Sequence, residues 1–334
     1  MKKNKTIIIA EAGVNHGGSM KLAKRLIDIA SRSGADYVKF QSFLVDEMIL
    51  KDTPQAEYQR KNLKKNISQY QMLKKYELSK QHHNQIYLHC KKRKIKFIST
   101  PFDIKSLNFL KKFKMDYLKI PSGEITNKPL LENISKTKSK YLLSTGMSNL
   151  KEINQAYKIL NRRYKNKITI MHCTSNYPSE NSELNLNALS LIKKNFKCDI
   201  GYSDHSKSIL VPCLAVAMGA KVIEKHFTIS NNMYGPDHKA SLNPKELKKM
   251  VDMIKETEVI MGLEKKQPNK KELITRKLVR KSIVSRRDII KGEKFTLKNI
   301  TTKRPGIGLS PFLINKILGK KSKRKFKKDS IIKI

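Results

Sequence analysis

Short apolar runs alternate with longer segments of helical periodicity through the first 260 residues of the chain. The apolar runs number eight, and they are Ile7–Ala10, Tyr37–Phe40, Phe97–Ser99, Tyr117–Ile120, Tyr141–Ser144, Ile168–His172, Asp199–Tyr202 and Val222–Lys225. Between most of them, segments such as Met20–Ser33 and Leu150–Leu160 place apolar residues three and four positions apart, which predicts amphipathic helices. This repetition is typical of βαβ units with a parallel sheet. The pattern therefore predicts an α/β protein whose residues 1–262 form a (β/α)8 TIM barrel.

Two parts of the chain depart from this repeating pattern. The insertion Leu44–Lys80 is polar and charged, and we expect it to be helical and to lie near the mouth of the barrel. Residues 263–279 are predicted to be a linker, because their first part is polar and contains Pro268. Beyond them, residues 280–334 contain short runs separated by Gly and Pro, which predicts a small β-rich domain. Its expected elements are strands at Ser282–Ser285, Phe295–Leu297 and Ile331–Ile334 and one short helix near Pro311–Leu318.

The composition is strongly basic, with 71 Lys and Arg against 28 Asp and Glu and a net charge of +43. The lysines are spread along the chain at positions expected on exposed helix faces, which argues against a dedicated nucleic-acid site. No run approaches the roughly 20 apolar residues of a membrane span, and no signal-type apolar core follows Met1. We therefore expect a cytoplasmic protein without a membrane segment. The four cysteines form no CxxC pair, which argues against a disulfide framework or a structural zinc site.

Polar side chains follow the predicted strands, at the end where TIM barrels build their active sites. Lys39 and Lys119 stand between apolar strand residues, where an unpartnered charge is costly to bury. Short hydroxyl side chains occupy comparable places, and they are Thr100, Ser122, Ser144 and Ser203. Two point charges and several short donors are suited to holding a phosphate group.

Two histidines follow neighbouring predicted strands, His205 after the seventh and His226 after the eighth. Two imidazoles with carboxylates nearby suit a transition metal with open coordination positions rather than a closed structural site. His16 and His238 are weaker candidates for the same role. The carboxylates expected at this mouth are Glu11, Glu124, Glu224 and Asp237. One of them can act as a general base while another orients a hydroxyl or an aldehyde, and spacing does not assign these roles.

The motifs at the strand ends, taken together, resemble the sialic acid synthases. The matching stretches are Ala10–Gly18, Val38–Gln41, Ser99–Asp103, Lys119–Glu124, His172–Pro178, Gly201–Ser206, Glu224–Thr228 and Gly235–Lys239. The family comprises the N-acetylneuraminate synthases and their legionaminic and pseudaminic acid relatives. Arg304–Pro311 is similar to the signature of the family's carboxyl-terminal antifreeze-like domain, a β-clip fold called SAF. The resemblance covers essentially the whole chain.

This resemblance implies that phosphoenolpyruvate condenses with an N-acylated mannosamine-type sugar to give a nine-carbon 2-keto sugar acid. Phosphate then leaves by C–O cleavage. A divalent metal is expected on His205 and His226, with Mn2+ preferred and Mg2+ or Co2+ as alternatives. The family further implies a domain-swapped homodimer in which Arg304 completes the site of the partner subunit.

The same resemblance distributes roles over the candidate residues. Glu124 would orient or deprotonate the attacking water, and Glu224 would lie beside the metal. The groups expected to face the sugar are Glu11, Gln41, Tyr177, Asp237 and Arg304. Those expected to hold phosphate and carboxylate are Lys39, Lys119, Thr100, Ser122, Ser144 and Ser203.

Several alternatives stay open at this point. Ser175 stands where some sialic acid synthases have Asn, so the acceptor could be N-acetylmannosamine, its 6-phosphate or a diacetamido-trideoxyhexose. A different barrel that joins phosphoenolpyruvate to an aldose phosphate is a second enzyme hypothesis, and the module around Arg304 argues against it. A basic nucleic-acid-binding protein on an inactive barrel is a third. The joint presence of Lys39, Glu124, His205 and His226 argues against that one.

Overall fold

The strands of the first 262 residues form one parallel sheet that curves into a nearly closed barrel, in a computed structural model that describes residues 5–65, 67–162 and 168–334. The strands are β1 (Ile7–Gly13), β2 (Tyr37–Ser42), β3 (Lys96–Pro101), β4 (Tyr117–Ile120), β5 (Lys140–Ser144), β6 (Ile168–Cys173), β7 (Asp199–Asp204) and β8 (Val222–His226). Their hydrogen-bonded order is β3-β2-β1-β8-β7-β6-β5-β4. The end strands β3 and β4 lie side by side without a hydrogen-bonded ladder between them. The predicted (β/α)8 fold is confirmed.

Helices connect the strands and cover the outside of the barrel. They are α1 (Met20–Ser33), α5 (Lys80–Lys92), α6 (Ile104–Leu110), α7 (Lys128–Ser135), α8 (Leu150–Asn161), α9 (Ala188–Asn195), α10 (Leu210–Ala217) and α11 (Pro244–Met261). The polar insertion contains three short helices, α2 (Val45–Met48), α3 (Glu57–Leu63) and α4 (Gln69–Lys74). Local sequence sets where helices begin. At α8, for example, the Asn149 side chain accepts from the Glu152 backbone N–H at 3.1 Å and the Glu152 carboxylate accepts from the Asn149 N–H at 2.9 Å.

Strand alternation separates two kinds of interior. Residues that face the helices form the large apolar core, as Ile8, Val38 and Tyr141 do. Residues that face the barrel axis are apolar in the lower layer, where Ile9, Tyr37, Ile98, Tyr117, Leu142, Met171 and Val222 pack together. Two residues further along each strand, the inward side chains become polar. The barrel is therefore plugged by an apolar layer beneath a polar one, because successive inward residues lie two positions apart.

Residues 263–334 form a second compact unit. It contains α12 (Lys270–Val279), the antiparallel strands β9 (Ser282–Ser285) and β10 (Ile300–Lys303), and α13 (Ile314–Ile317). Its core consists of Ile283, Ile289, Phe295, Ile300, Ile317, Phe326 and Ile332. Helix α12 thus occupies much of the segment expected to be a linker.

The strand assignments in this second unit were partly wrong. Phe295–Leu297 and Ile331–Ile334 are not strands, because the chain here turns after single-residue pairings such as Val284 with Ile331. The strand β10 was missed because its sequence, Ile-Thr-Thr-Lys, has no apolar run. The predicted short helix is present as a 3-10 turn at Pro311–Leu313 followed by α13. In the described part of the chain, no helix is long and apolar enough to cross a membrane.

Candidate active site

Four buried charged residues form a connected layer at the carboxyl ends of β1, β2, β4 and β8. The strand register sets Glu11 opposite Lys39, and the Lys39 Nζ lies 3.0 Å from Glu11 Oε1 and 3.7 Å from Glu224 Oε1. The Lys119 Nζ lies 3.1 Å from the same oxygen of Glu224. At most 5% of any of these four side chains is exposed. Each charge is therefore compensated mainly by its neighbours rather than by water.

This arrangement shifts the pKa values of the two carboxyl groups, Glu11 and Glu224, in opposite directions. Burial raises the pKa of Glu11 well above its ordinary range, although Lys39 opposes the shift. Burial also acts to raise the pKa of Glu224, but Lys119 and Lys39 together outweigh it, so the pKa of this carboxyl falls below its ordinary value. Glu224 therefore carries the negative charge of the layer, while Glu11 is the carboxyl that takes up a proton most readily.

Hydroxyl groups surround the two lysines. The Lys39 Nζ donates to Thr100 Oγ1 at 3.0 Å, and Ser203 Oγ donates to Glu224 Oε1 at 3.1 Å. Ser144 is buried and its Oγ has no hydrogen-bond partner, and the same is true of the second carboxylate oxygens of Glu11 and Glu224. Unsatisfied buried polar atoms beside two lysines indicate a place for a polar ligand.

A cavity of about 250 Å³ opens onto this layer. Twelve of the fifteen predicted site residues line it, and they are Glu11, Lys39, Gln41, Thr100, Lys119, Ser122, Ser144, Tyr177, Ser203, Glu224, His205 and His226. Gln41 also donates from Nε2 to Glu11 Oε1 at 3.4 Å. A larger cavity of about 920 Å³ lies at the opposite end of the barrel, lined by residues such as Lys96 and Lys140 that begin their strands. Active sites of TIM barrels lie at the carboxyl ends of the strands, so the smaller cavity is the candidate site.

The two predicted metal ligands lie side by side, with ring centroids 5.5 Å apart. His205 Nδ1 is 2.6 Å from the Thr174 carbonyl oxygen, so Nδ1 carries the proton and donates. Its Nε2 lies 3.0 Å from the Tyr177 hydroxyl, and although burial opposes the shift, the Cys173 thiol and the Thr174 carbonyl raise the pKa of His205. His226 is buried, and its Nδ1 has no hydrogen-bond partner. Burial, together with repulsion from His205 and Lys39, holds the pKa of His226 well below its ordinary range, so this ring is neutral.

These features fit a divalent transition metal with open coordination positions. A neutral imidazole with an unpartnered nitrogen is the state that ligates metals. The Thr174 carbonyl fixes the tautomer of His205 in the way that outer partners of metal-binding histidines do. Among the described residues, no group of three or more His, Cys, Asp and Glu side chains forms a metal cage. The protein donors available to such a metal would therefore be the two imidazoles, with the remaining positions left to solvent or substrate.

Gly13 makes room for this pair. Its backbone adopts a left-handed φ of +51°, and a Cβ at this position would lie 3.2 Å from Cε1 of His226. Glycine is therefore favoured both by the backbone angle and by the close approach of the imidazole.

Asp237 is buried next to the site but does not line the cavity. Burial raises its pKa to about 6, although His205 and a hydrogen bond with the Tyr58 hydroxyl oppose the shift. The Tyr58 ring in turn stacks on Tyr177, with centroids 5.1 Å apart and planes at 24°. Tyr58 comes from the inserted helix α3, and sequence reasoning missed it because nothing in that polar segment distinguishes one tyrosine from another.

Two further predicted residues lie outside the cavity lining. Glu124 belongs to the 3-10 turn after β4, is half-buried, and accepts from Asn127 Nδ2 at 2.6 Å. Burial raises its pKa. Arg304 is exposed on the second unit. The weaker metal candidates have other partners, since His16 Nδ1 accepts from the Gly18 N–H at 3.0 Å and His238 Nδ1 lies 2.6 Å from Thr228 Oγ1.

Cys173 is a further site residue, which was not among those predicted from the sequence. Its thiol lines the cavity, 3.6 Å from His205 Nδ1. Burial would raise the pKa of this thiol, but His205 outweighs burial and brings it to about 7. Strand alternation could have identified it, because Cys173 lies two residues after the inward-facing Met171.

The barrel and its polar mouth together define a member of a known family. Residues 26–266 match the NeuB family, and residues 280–334 match the SAF domain. The chain belongs to the NeuB family, and the resemblance to sialic acid synthases seen in the sequence is confirmed.

Several of its relatives are legionaminic or pseudaminic acid synthases. The chain is 48% identical to the N,N'-diacetyllegionaminic acid synthase of Campylobacter jejuni, covering 98% of this chain and 99% of that protein. It is 44% identical to the N,N'-diacetyllegionaminic acid synthase of Legionella pneumophila, covering 93% and 89%. The crystal structure of N-acetylneuraminic acid (sialic acid) synthetase from Leptospira borgpetersenii in complex with citrate is 36% identical and superposes with a TM-score of 0.73, covering 82% and 90%.

Proposed function

We propose that this protein condenses phosphoenolpyruvate with a diacetamido-trideoxyhexose to give N,N'-diacetyllegionaminic acid and phosphate. The observation that carries the proposal is the buried Lys39–Glu224–Lys119 layer beside His205 and His226 in one cavity. The choice of acceptor is supported by the two relatives at 48% and 44% identity, which are both N,N'-diacetyllegionaminic acid synthases.

Phosphoenolpyruvate would bind through its phosphate and carboxylate at the two lysines. Lys39 and Lys119 supply the positive charge, and the unpartnered Ser144 hydroxyl can turn toward an incoming oxygen. Because these groups are buried, their attraction for an anion is stronger than it would be in water. They would hold C3 of phosphoenolpyruvate facing the aldehyde carbon of the open-chain sugar.

The carbon–carbon bond forms when C3 of phosphoenolpyruvate attacks that aldehyde. A divalent ion held by His205 and His226, Mn2+ by preference, would polarise the aldehyde oxygen as a Lewis acid. Glu11, whose pKa is raised, would exchange a proton with the sugar oxygen. Glu224 would stay ionised between the lysines and keep them oriented.

Water would then add at C2, and the bond between C2 and the phosphate oxygen would break. We assign the orientation of this water to Glu124, because burial brings its pKa closer to neutrality and its turn also contributes Ser122 and Gly123 to the cavity. Phosphoenolpyruvate labelled with 18O in its bridging oxygen tests this step. The label should leave with phosphate, and label retained in the sugar acid would contradict C–O cleavage.

We further propose a domain-swapped homodimer in which Arg304 of one subunit reaches the sugar in the barrel of the other. Arg304→Ala and Glu124→Ala subunits should each be inactive alone and should recover activity when mixed as heterodimers. Absence of recovery in verified heterodimers would refute the shared site. The reaction uses an intracellular metabolite, so we place the protein in the cytoplasm.

The direct test is phosphate release from phosphoenolpyruvate with Mn2+ and a panel of acceptors. The panel contains the diacetamido-trideoxyhexose, N-acetylmannosamine and its 6-phosphate, and mass spectrometry identifies the product. We expect kcat/KM for the first sugar to exceed the others by at least about tenfold, the factor that corresponds to ~1.4 kcal/mol. A preference for N-acetylmannosamine would show that the proposed acceptor is wrong. Absence of phosphate release with every sugar would refute the proposed function.

The metal assignment has its own control. His226→Ala should lose both Mn2+ binding, followed by electron paramagnetic resonance, and turnover. Full activity of the wild-type protein in excess chelator would disprove a metal requirement.

A further inference from the structure

The inserted helix α3 reaches the site through one residue, Tyr58. Its ring stacks on Tyr177 at 5.1 Å, and its hydroxyl forms a hydrogen bond with the Asp237 carboxyl and accepts from Gln59 Nε2 at 3.2 Å. Tyr58 is not among the residues that line the cavity. It therefore contacts two predicted sugar-facing residues, Tyr177 and Asp237, without itself lining the cavity.

Helix α3 is itself fixed to the loop that carries Asp237. Asn62 Nδ2 donates to the Pro236 carbonyl oxygen at 2.6 Å, and the Tyr234 hydroxyl donates to the Leu63 carbonyl oxygen at 3.0 Å. Leu63 is buried in a small apolar cluster with Val14, Phe43, Val45, Met72 and Tyr76. The position of Tyr58 is thus determined by packing as well as by its own hydrogen bonds.

Removal of Tyr58 would act on both partners. Tyr177 would lose the ring against which it stacks, so the ring that carries its hydroxyl to His205 Nε2 would be less constrained. Asp237 is buried and its Oδ1 already lacks a partner, so losing the Tyr58 hydroxyl would leave the carboxyl still less satisfied. The lysine layer makes no contact with Tyr58 through any of the hydrogen bonds or ring contacts described above.

We propose that Tyr58 is a positioning residue for the acceptor sugar, which acts by holding the Tyr177 ring and the Asp237 carboxyl in place. This inference rests on the proposed condensation with a sugar. Stacked aromatic rings provide an apolar wall, which suits the methyl groups of an acetamido-deoxy sugar better than a fully hydroxylated one. The insertion therefore contributes to acceptor selectivity without contacting phosphoenolpyruvate.

The test compares Tyr58→Phe, which keeps the ring, with Tyr58→Leu, which removes ring and hydroxyl. We expect Tyr58→Leu to raise KM for the sugar about tenfold or more and to leave KM for phosphoenolpyruvate within about twofold. Tyr58→Phe should raise the sugar KM roughly threefold, through the lost hydrogen bond alone. In an Asp237→Asn background, Tyr58→Phe should add little further change, because both substitutions remove the same interaction.

The matched control is Tyr70→Phe in α4 of the same insertion, which removes a hydroxyl that donates to Asp46. It should leave both KM values unchanged. The inference is overturned if the Tyr58 variants change neither KM, or raise both equally, while the wild-type protein is active. A wild-type protein that releases no phosphate with any sugar would instead refute the proposed function, and the inference with it. Far-UV circular dichroism confirms that each variant is folded.

Discussion

The buried ion pair between Lys225 and Asp204 allows a quantitative test of what holds together the two strand ends that precede His205 and His226. Both side chains are fully buried, and the Lys225 Nζ lies 2.6 Å from Asp204 Oδ2. The same ammonium donates to the Ser206 carbonyl and, at 3.3 Å, to the Ser208 carbonyl. Asp204 and Lys225 face each other in the register of β7 and β8 and immediately precede His205 and His226. This pair therefore joins the two strand ends that carry the histidines.

The expected cost follows from burial. In Lys225→Met, the Asp204 carboxylate stays buried and loses its ammonium partner, while it keeps the hydrogen bond from the Ser206 N–H, 2.9 Å from its Oδ1. Leaving a buried charge without its partner costs about 3–5 kcal/mol of the free energy of unfolding. The double variant Asp204→Asn/Lys225→Met removes both charges, so it should cost only about 1–3 kcal/mol, for the carbonyl groups that lose a donor.

Urea unfolding followed by far-UV circular dichroism measures these values, since the chain contains no tryptophan. The control is Lys248→Met, which breaks an exposed i,i+4 pair with Asp252 whose side chains are about half exposed. That change should cost about 0.5 kcal/mol or less. A cost below about 1 kcal/mol for Lys225→Met, or additive costs in the double variant, would refute the reasoning.

Three further predictions concern other parts of the barrel. Burial lowers the pKa of His16 from 6.5 to about 4, so the unfolded chain binds the proton more tightly and stability falls as pH drops from 6.5 toward 4. At pH 5 this loss of stability is about 2 kcal/mol. In His16→Gln, the difference in unfolding free energy between pH 7 and pH 5 should therefore be smaller by about that amount. An unchanged difference would contradict this prediction. In Gly201→Ala, the new Cβ would lie 2.8 Å from the Val222 carbonyl oxygen, so we expect about 1–3 kcal/mol of destabilisation, against none for Gly123→Ala, where no atom lies within 4 Å. Equal melting curves for these two variants would rule that out. Lys119→Met should weaken phosphoenolpyruvate binding roughly 10- to 150-fold in calorimetric titrations, and unchanged affinity would remove Lys119 from the anion site.

Most of the barrel could be predicted from sequence because its signal is local. Each strand has an apolar face toward the helices, and each of the four residues of the buried charged layer stands at an inward position two residues after an apolar one. Lys39 lies two residues after the inward-facing Tyr37, and Glu11 lies two residues after the inward-facing Ile9. Burying a charge between apolar neighbours is costly, so such positions indicate partners before a structure is known.

The small domain was harder to predict for a physical reason. Its pairings involve one or a few residues, as between Ile289 and Phe326, and such short contacts leave no periodic pattern. The strand β10 is formed by residues whose core contribution comes almost entirely from Ile300. Chain reversals and a compact core, rather than alternation, determine this unit.

The sequence by itself determined the fold class, the polar ends of the strands and the family, because strand period and buried charges are properties of neighbouring residues. The tertiary structure decided which charged side chains lie close enough to form ion pairs and to shift each other's pKa values. The pKa of Glu224 is lowered because two lysines from different strands lie near one of its oxygens, whereas burial keeps the pKa of Glu11 raised. It also brought Tyr58 from a polar insertion onto Tyr177. Contacts between distant segments depend on how helices and loops pack in space, and a single chain carries no local pattern for them.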